Sequence, residues 1–210
     1  PSIALTALAV LGAGFLLSTC GEGRAGYGGS AGPRAAAEPE DPVVFNQLAD
    51  FELTAHTGRS ITRADLAGRP WVVSCIFTTC TGPCPSITRT MQALTGRLEE
   101  TDAGFLSITV DPERDTPEVL ARYAEAFGAK GDWLFLTGAG EAEVHELLRS
   151  SFAMTVARGD GTGPEGITLT HSSHLAVIDG QGRVRGWYDS QDPAEVRRLV
   201  ERVRFLAGDS

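Results

Sequence analysis

The chain has 210 residues, of which 18 are Lys or Arg and 27 are Asp or Glu, for a formal net charge of −9. Setting aside an N-terminal region of different composition leaves about 165 residues, enough for one domain with a core of its own. An acidic, patch-poor chain is a poor candidate for a phosphate-backbone partner, so no nucleic acid is expected; a basic docking site on another protein suits it better.

Ile3 to Leu17 is an apolar run. It falls short of the ~18 residues of a membrane span and reads as an export signal. Leu17-Ser-Thr-Cys20 behind it resembles a bacterial lipobox, with Thr19 where Gly, Ala or Ser is usual. Residues 1–19 are therefore expected to be an export signal or membrane segment. Cys20 is the expected lipid attachment point, with an uncleaved anchor as the alternative; either holds the domain outside the cytoplasmic membrane. Residues 20–42, rich in Gly, Ala and Pro, read as a flexible tether, and the folded domain is expected over 43–210.

Phe51 to Thr54 and Ile61 bracket a turn at Thr57-Gly58, which predicts an N-terminal β-hairpin; His56 in that turn is expected to be solvated. The continuous apolar run Trp71 to Phe77 predicts a strand buried on both faces, with Cys75 packed in it as a small hydrophobe. After it comes Cys80-Thr-Gly-Pro-Cys84, and then Ile87, Met91, Leu94 and Leu98 repeat at helical spacing, predicting a helix over 84–99. The two cysteines thus sit where a helix begins, a position whose N–H groups and dipole favour thiolate. A three-residue spacer puts the sulfurs about one helical turn apart if the intervening backbone is helical, whereas a tight redox dithiol has two. Both a chelate for one metal ion and a disulfide are compatible with it.

A strand over 104–110 leads to Asp111, at the same carboxyl edge of the sheet as Cys80, where open α/β folds hold their sites. Asp111 is expected either to support the site or to contact a partner, and Arg114 and Asp115 to form a local ion pair. Thr116 as N-cap and Pro117 in the first turn start a helix over 117–127, with Val119, Leu120, Tyr123 and Phe127 as its apolar stripe. A strand over 133–137 and a helix over 141–153 follow, with His145 read as solvated. The Gly-rich stretch Arg158 to Gly166 is a long loop of the kind that is often functional. His171, between this loop and a strand over 173–178, is a ligand candidate, whereas His174 points to the opposite face of an extended strand. Asp179-Gly-Gln-Gly182 marks a tight antiparallel turn into a strand over 183–188. Asp192-Pro193 with Glu195 starts the last helix, 193–206, which turns Val196, Leu199, Val200 and Val203 to the core. Alternating strands and helices imply an α/β sheet covered by helices.

Two thiolates and an imidazole would suit copper or zinc rather than magnesium or calcium. Structural zinc normally closes with four protein ligands, and three are in view.

Three motifs in order resemble the SCO/SenC family of copper-binding, thioredoxin-like proteins that assist cytochrome c oxidase assembly. They are Phe77-Thr-Thr-Cys-Thr-Gly-Pro-Cys-Pro85, Val110-Asp-Pro-Glu-Arg-Asp-Thr-Pro117, and His171-Ser-Ser followed by Ile178-Asp-Gly-Gln-Gly182. The resemblance runs from about Phe51 to Tyr188. It departs from the family in the Thr-Gly-Pro between the cysteines and in the extra thiol of Cys75. It implies a thioredoxin-like α/β fold with an added N-terminal β-hairpin, and Cys80, Cys84 and His171 as ligands of copper, as Cu(I) or Cu(II). It also implies a membrane-anchored chaperone delivering copper to the binuclear site of cytochrome c oxidase subunit II or to another copper-accepting protein. The alternative is a thiol–disulfide reductase in which Cys80 and Cys84 are the redox dithiol that reduces the acceptor's cysteines; a peroxidase-like or signalling thiol protein is a third reading.

Overall fold

The computed structural model describes residues 43–158, 167–169 and 173–208. In chain order its strands are β1 (Asn46–Gln47), β2 (Glu52–Ala55), β3 (Ser60–Thr62), β4 (Trp71–Ile76), β5 (Gly104–Thr109), β6 (Trp133–Thr137), β7 (Val156–Arg158), β8 (Ile167–Leu169), β9 (His174–Ile178) and β10 (Arg183–Asp189). Its α-helices are α1 (Cys84–Arg97), α2 (Pro117–Ala126), α3 (Glu141–Phe152) and α4 (Pro193–Ala207). The longer elements fall within a few residues of their expected bounds. Strands β1, β7 and β8 had no sequence signal, because three residues or fewer cannot display a period of two.

Eight strands form one sheet in the order β1-β10-β9-β4-β5-β6-β2-β3, and β7 pairs with β8 in a separate antiparallel ribbon. Strands β4 and β5 are buried at every position, as their unbroken apolar runs require of strands covered on both faces. The buried serines of β4 and β5 satisfy each other. The Ser74 and Ser107 hydroxyls lie 2.8 Å apart across β4 and β5, and the Trp133 indole N–H donates to Ser107 from β6 at 3.0 Å.

Register positions the site. Strand β4 runs parallel to β5 and antiparallel to β9, with Trp71 opposite Ile178 and Val73 opposite Ala176. The carboxyl ends of β4 and β5 and the beginning of β9 therefore share one edge of the sheet. That edge receives the cysteine loop, the Asp111 turn and His174.

Helix boundaries follow their caps. The Thr116 hydroxyl accepts from Val119 N–H at the start of α2, and the Asp192 carboxylate accepts from Ala194 N–H at 2.8 Å at the start of α4.

Two histidines read as solvated are not. His56 Nδ1 accepts from Phe135 N–H at 3.2 Å, with its ring edge-on to Phe135, and burial holds its pKa below the ordinary value. His145 Nε2 lies 2.9 Å from the Val110 carbonyl, bracing α3 against the end of the β5 chain. Neither partner is local in sequence.

Candidate metal and thiol site

The chain leaves β4 through Phe77 and Thr78, turns so that Cys80 N–H donates to the Phe77 carbonyl at 3.2 Å, and enters α1 at Cys84. Pro83 sits in the helical region and its carbonyl takes the first bonds of the helix, from Ser86 N–H at 2.9 Å and Ile87 N–H at 3.0 Å. Pro85 lacks an N–H, and no acidic residue occupies the first turn of α1. No carboxylate of that turn therefore competes with sulfur for the helix N-terminus.

Cys80 is half-buried and Cys84 is 3 % exposed, and both are free thiols. The spacing left their contact open; the fold closes it. Cys84 lies close enough to the Cys80 thiol and to Phe77 N–H for both to bear on its titration. The expectation that a helix start would ease the loss of its proton is corrected at Cys84. Burial drives the Cys84 pKa well above that of a free thiol, neighbouring Cys80 adds to the rise, and the Phe77 N–H offsets only part of it. Cys75, on β4, is fully buried with its pKa pushed up to about 12, and it lies 3.5 Å from the Met154 sulfur. It packs as the small hydrophobe expected of it.

Asp115 is the residue that sequence reasoning missed. Its buried carboxylate accepts from Thr78 N–H at 3.0 Å and from the hydroxyls of Thr78 and Thr109. It thereby ties the loop two residues before Cys80 to the end of β5. The expected Arg114–Asp115 ion pair is instead Arg114–Asp111, at 2.7 Å. The Asp111 side chain has no exposed surface, while Arg114, its ion-pair partner, is half exposed. The Asp111 carbonyl also accepts from Arg114 N–H and Asp115 N–H, which shapes the turn that aims Asp115 at Thr78.

Behind the thiols, Thr88 donates to the Cys84 carbonyl at 2.9 Å and lies 2.9 Å from the Tyr123 hydroxyl. Burial raises the Tyr123 pKa to about 12, and nearby Cys84, Cys80 and Asp115 bear on it in the same direction. The stripe residue Tyr123 is thus also a wall of the site, a role that a helical period could not reveal.

His171 and Cys20 lie outside the described residues, as do the expected signal and tether. Among the described residues no group of three His, Cys, Asp or Glu is arranged to hold a metal, and no helix is long and apolar enough to cross a membrane. The two sulfurs at the start of α1, one half-exposed and one buried, are soft donors that fit a soft cation.

The family model described as SCO1/SenC matches residues 42–207. A SCO1/SenC family lipoprotein from Bacillus anthracis str. Ames is similar in structure, with a TM-score of 0.72, 25% identity, and coverage of 80% of this chain and 98% of the other. So is BsSco, a member of the Sco family of cytochrome c oxidase assembly proteins in which a disulfide switch was identified. Its TM-score is 0.69 at 25% identity, covering 80% and 96% of the two chains. A relative from Stutzerimonas stutzeri, named for copper binding, is 30% identical over 143 residues, 66% of this chain and 67% of its own. The thioredoxin-like α/β fold implied by the motifs is the fold of this chain.

Proposed function

The chain belongs to the SCO1/SenC family, and on that premise we propose that it is a copper chaperone of cytochrome c oxidase assembly, carrying its cargo on Cys80, Cys84 and His171. The acceptor in this reading is the binuclear copper site of cytochrome c oxidase subunit II, or another copper-accepting protein. The carrying observation is the thiol pair. Two neighbouring thiols at a helix start, one reachable from solvent and one shielded, make a chelate suited to Cu(I). His171, three residues before β9 in the sequence, is the nitrogen donor of this reading, and an imidazole makes Cu(II) tolerable. The apolar run before Cys20 supports an extracytoplasmic domain held to the membrane by lipid or by an uncleaved segment.

Anaerobic Cu(I) titration of the reduced protein tests the reading. One copper should bind per chain, Cys80→Ser or Cys84→Ser should abolish tight binding, and Cys75→Ser should retain it. Copper retained by both single variants would overturn the assignment.

A second reading, thiol–disulfide reductase, is favoured by the asymmetry of the pair. Cys80 is the accessible attacker on an acceptor disulfide; Cys84, beside it, then displaces the acceptor thiolate from the mixed disulfide. The acceptor leaves as a dithiol and Cys80–Cys84 becomes the disulfide. An assay of acceptor reduction run beside the titration separates the two.

A further inference from the structure

A groove of about 550 Å³ runs between α1 and α4, opening at Ser86, two residues past Cys84. Its walls carry Arg89, Arg97 and Arg197 and no Asp or Glu, on a chain whose net charge is −9. All three arginines are exposed, and none has a carboxylate partner among the described residues. The contrast within α4 is direct: Arg198, the next residue, pairs with Glu195 at 3.0 Å. Leu94 and Val196 supply apolar floor. Ser190, 6 % exposed, lines the groove with a hydroxyl that has no hydrogen-bond partner among the described residues, while its carbonyl accepts from Thr90 across the groove at 3.2 Å. Three exposed guanidiniums without carboxylate partners give the groove a local positive field on an acidic chain, and the buried Ser190 hydroxyl is a donor left open to an occupant.

We propose that this groove binds an extended acidic segment of a partner protein. Spacing selects that occupant. Arg89 and Arg97 stand eight residues apart on one helix, about 12 Å along its axis. A single phosphate or carboxylate would need both side chains to bend toward one point, whereas two separated carboxylates meet each where it stands. An extended chain advances about 3.3 Å per residue, so two carboxylates four residues apart span about 13 Å and meet the two guanidiniums, each with bidentate geometry available. Arg197 faces the same path from α4, and the Ser190 hydroxyl is placed to donate to a carboxylate or a peptide carbonyl of the occupant. The inference stands on the groove alone and does not depend on copper carriage. Its position means that a partner held there lies beside the dithiol.

The test is fluorescence anisotropy of the full reduced chain with a labelled flexible peptide bearing Glu four residues apart. The same peptide with Gln, and one with adjacent Glu residues, serve as comparisons. The spaced Glu peptide should bind, weaken steeply with added salt, and bind about tenfold more tightly than either comparison peptide. Arg89→Gln combined with Arg97→Gln should lose at least as much affinity, and Ser190→Ala should lose less. Copper stoichiometry and thermal midpoint should be unchanged in the exposed arginine variant, which separates failure of the groove from failure of the metal site or of folding. Equal binding of the Gln peptide, or unchanged affinity in the double arginine variant, would overturn the proposal. So would displacement of the peptide by glycerol phosphate at concentrations below those of competing Glu peptide, which would assign the groove to a phosphate ligand or lipid headgroup.

Discussion

Replacing Asp115 with alanine leaves Thr78 N–H, the Thr78 hydroxyl and the Thr109 hydroxyl without their acceptor. Thr109 is wholly buried and cannot turn to water; Thr78 is half-buried and can in part. Each buried donor left unsatisfied costs about 1–3 kcal/mol. With the Thr109 hydroxyl near the top of that range and the two Thr78 donors near the bottom, the loss comes to about 5 kcal/mol. For a domain of this size that lowers the thermal midpoint by about 10–20 °C. Asp115→Asn retains one carbonyl acceptor in nearly the same volume and should cost about half as much. Urea denaturation of the reduced protein measures both, and Cu(I) competition by a chelator reports on the loop, which should bind more weakly in Asp115→Ala even where the chain is fully folded. A loss below about 1 kcal/mol in Asp115→Ala, or equal losses in the two variants, would show that the carboxylate does not hold the cysteine loop.

At neutral pH iodoacetamide should label half-exposed Cys80 before Cys84, whose burial both shields it and raises its pKa; equal labelling rates, read by mass spectrometry, would contradict the arrangement. The folded-state pKa values of Cys75 and Cys84 lie above the ordinary 9.0, so the folded chain keeps protons that the unfolded chain releases. Stability should therefore be full below pH 9 and decline as pH rises toward about 12, with a smaller decline in Cys75→Ser. His56 shows the opposite sense: its lowered folded pKa means the unfolded chain takes up a proton first, so stability should fall as pH drops below 6.5, and less so in His56→Gln when urea midpoints are compared. His171→Ala should keep Cu(I) on two thiolates while the Cu(II) form loses nitrogen coupling in electron paramagnetic resonance; an unchanged spectrum would move the nitrogen donor elsewhere. Mass spectrometry of the mature protein should show residues 1–19 removed and Cys20 acylated, whereas an intact N-terminus with free Cys20 would replace the lipid anchor with a span.

What the sequence by itself determined was whatever depends on neighbours along the chain. The apolar run of β4, the helical spacing from Ile87 to Leu98 and the caps Thr116 and Asp192 are local signals, and the elements formed where they indicated. The Cys80–Cys84 pair and its place at a helix start were legible for the same reason. What they could not carry was partnership across the fold. Asp115 meets Thr78 from 37 positions away, His56 meets Phe135 from 79, and Thr90 meets Ser190 from 100. Each contact depends on sheet order, above all on β9 lying antiparallel beside β4 while β5 lies parallel on its other side. Strand order is set by which apolar faces bury together most completely, a property of the whole core and not of any window of residues. Only the tertiary structure therefore decided that one thiol is shielded and the other reachable, that Asp115 rather than Asp111 braces the loop, and that arginines from two helices far apart in sequence line one groove.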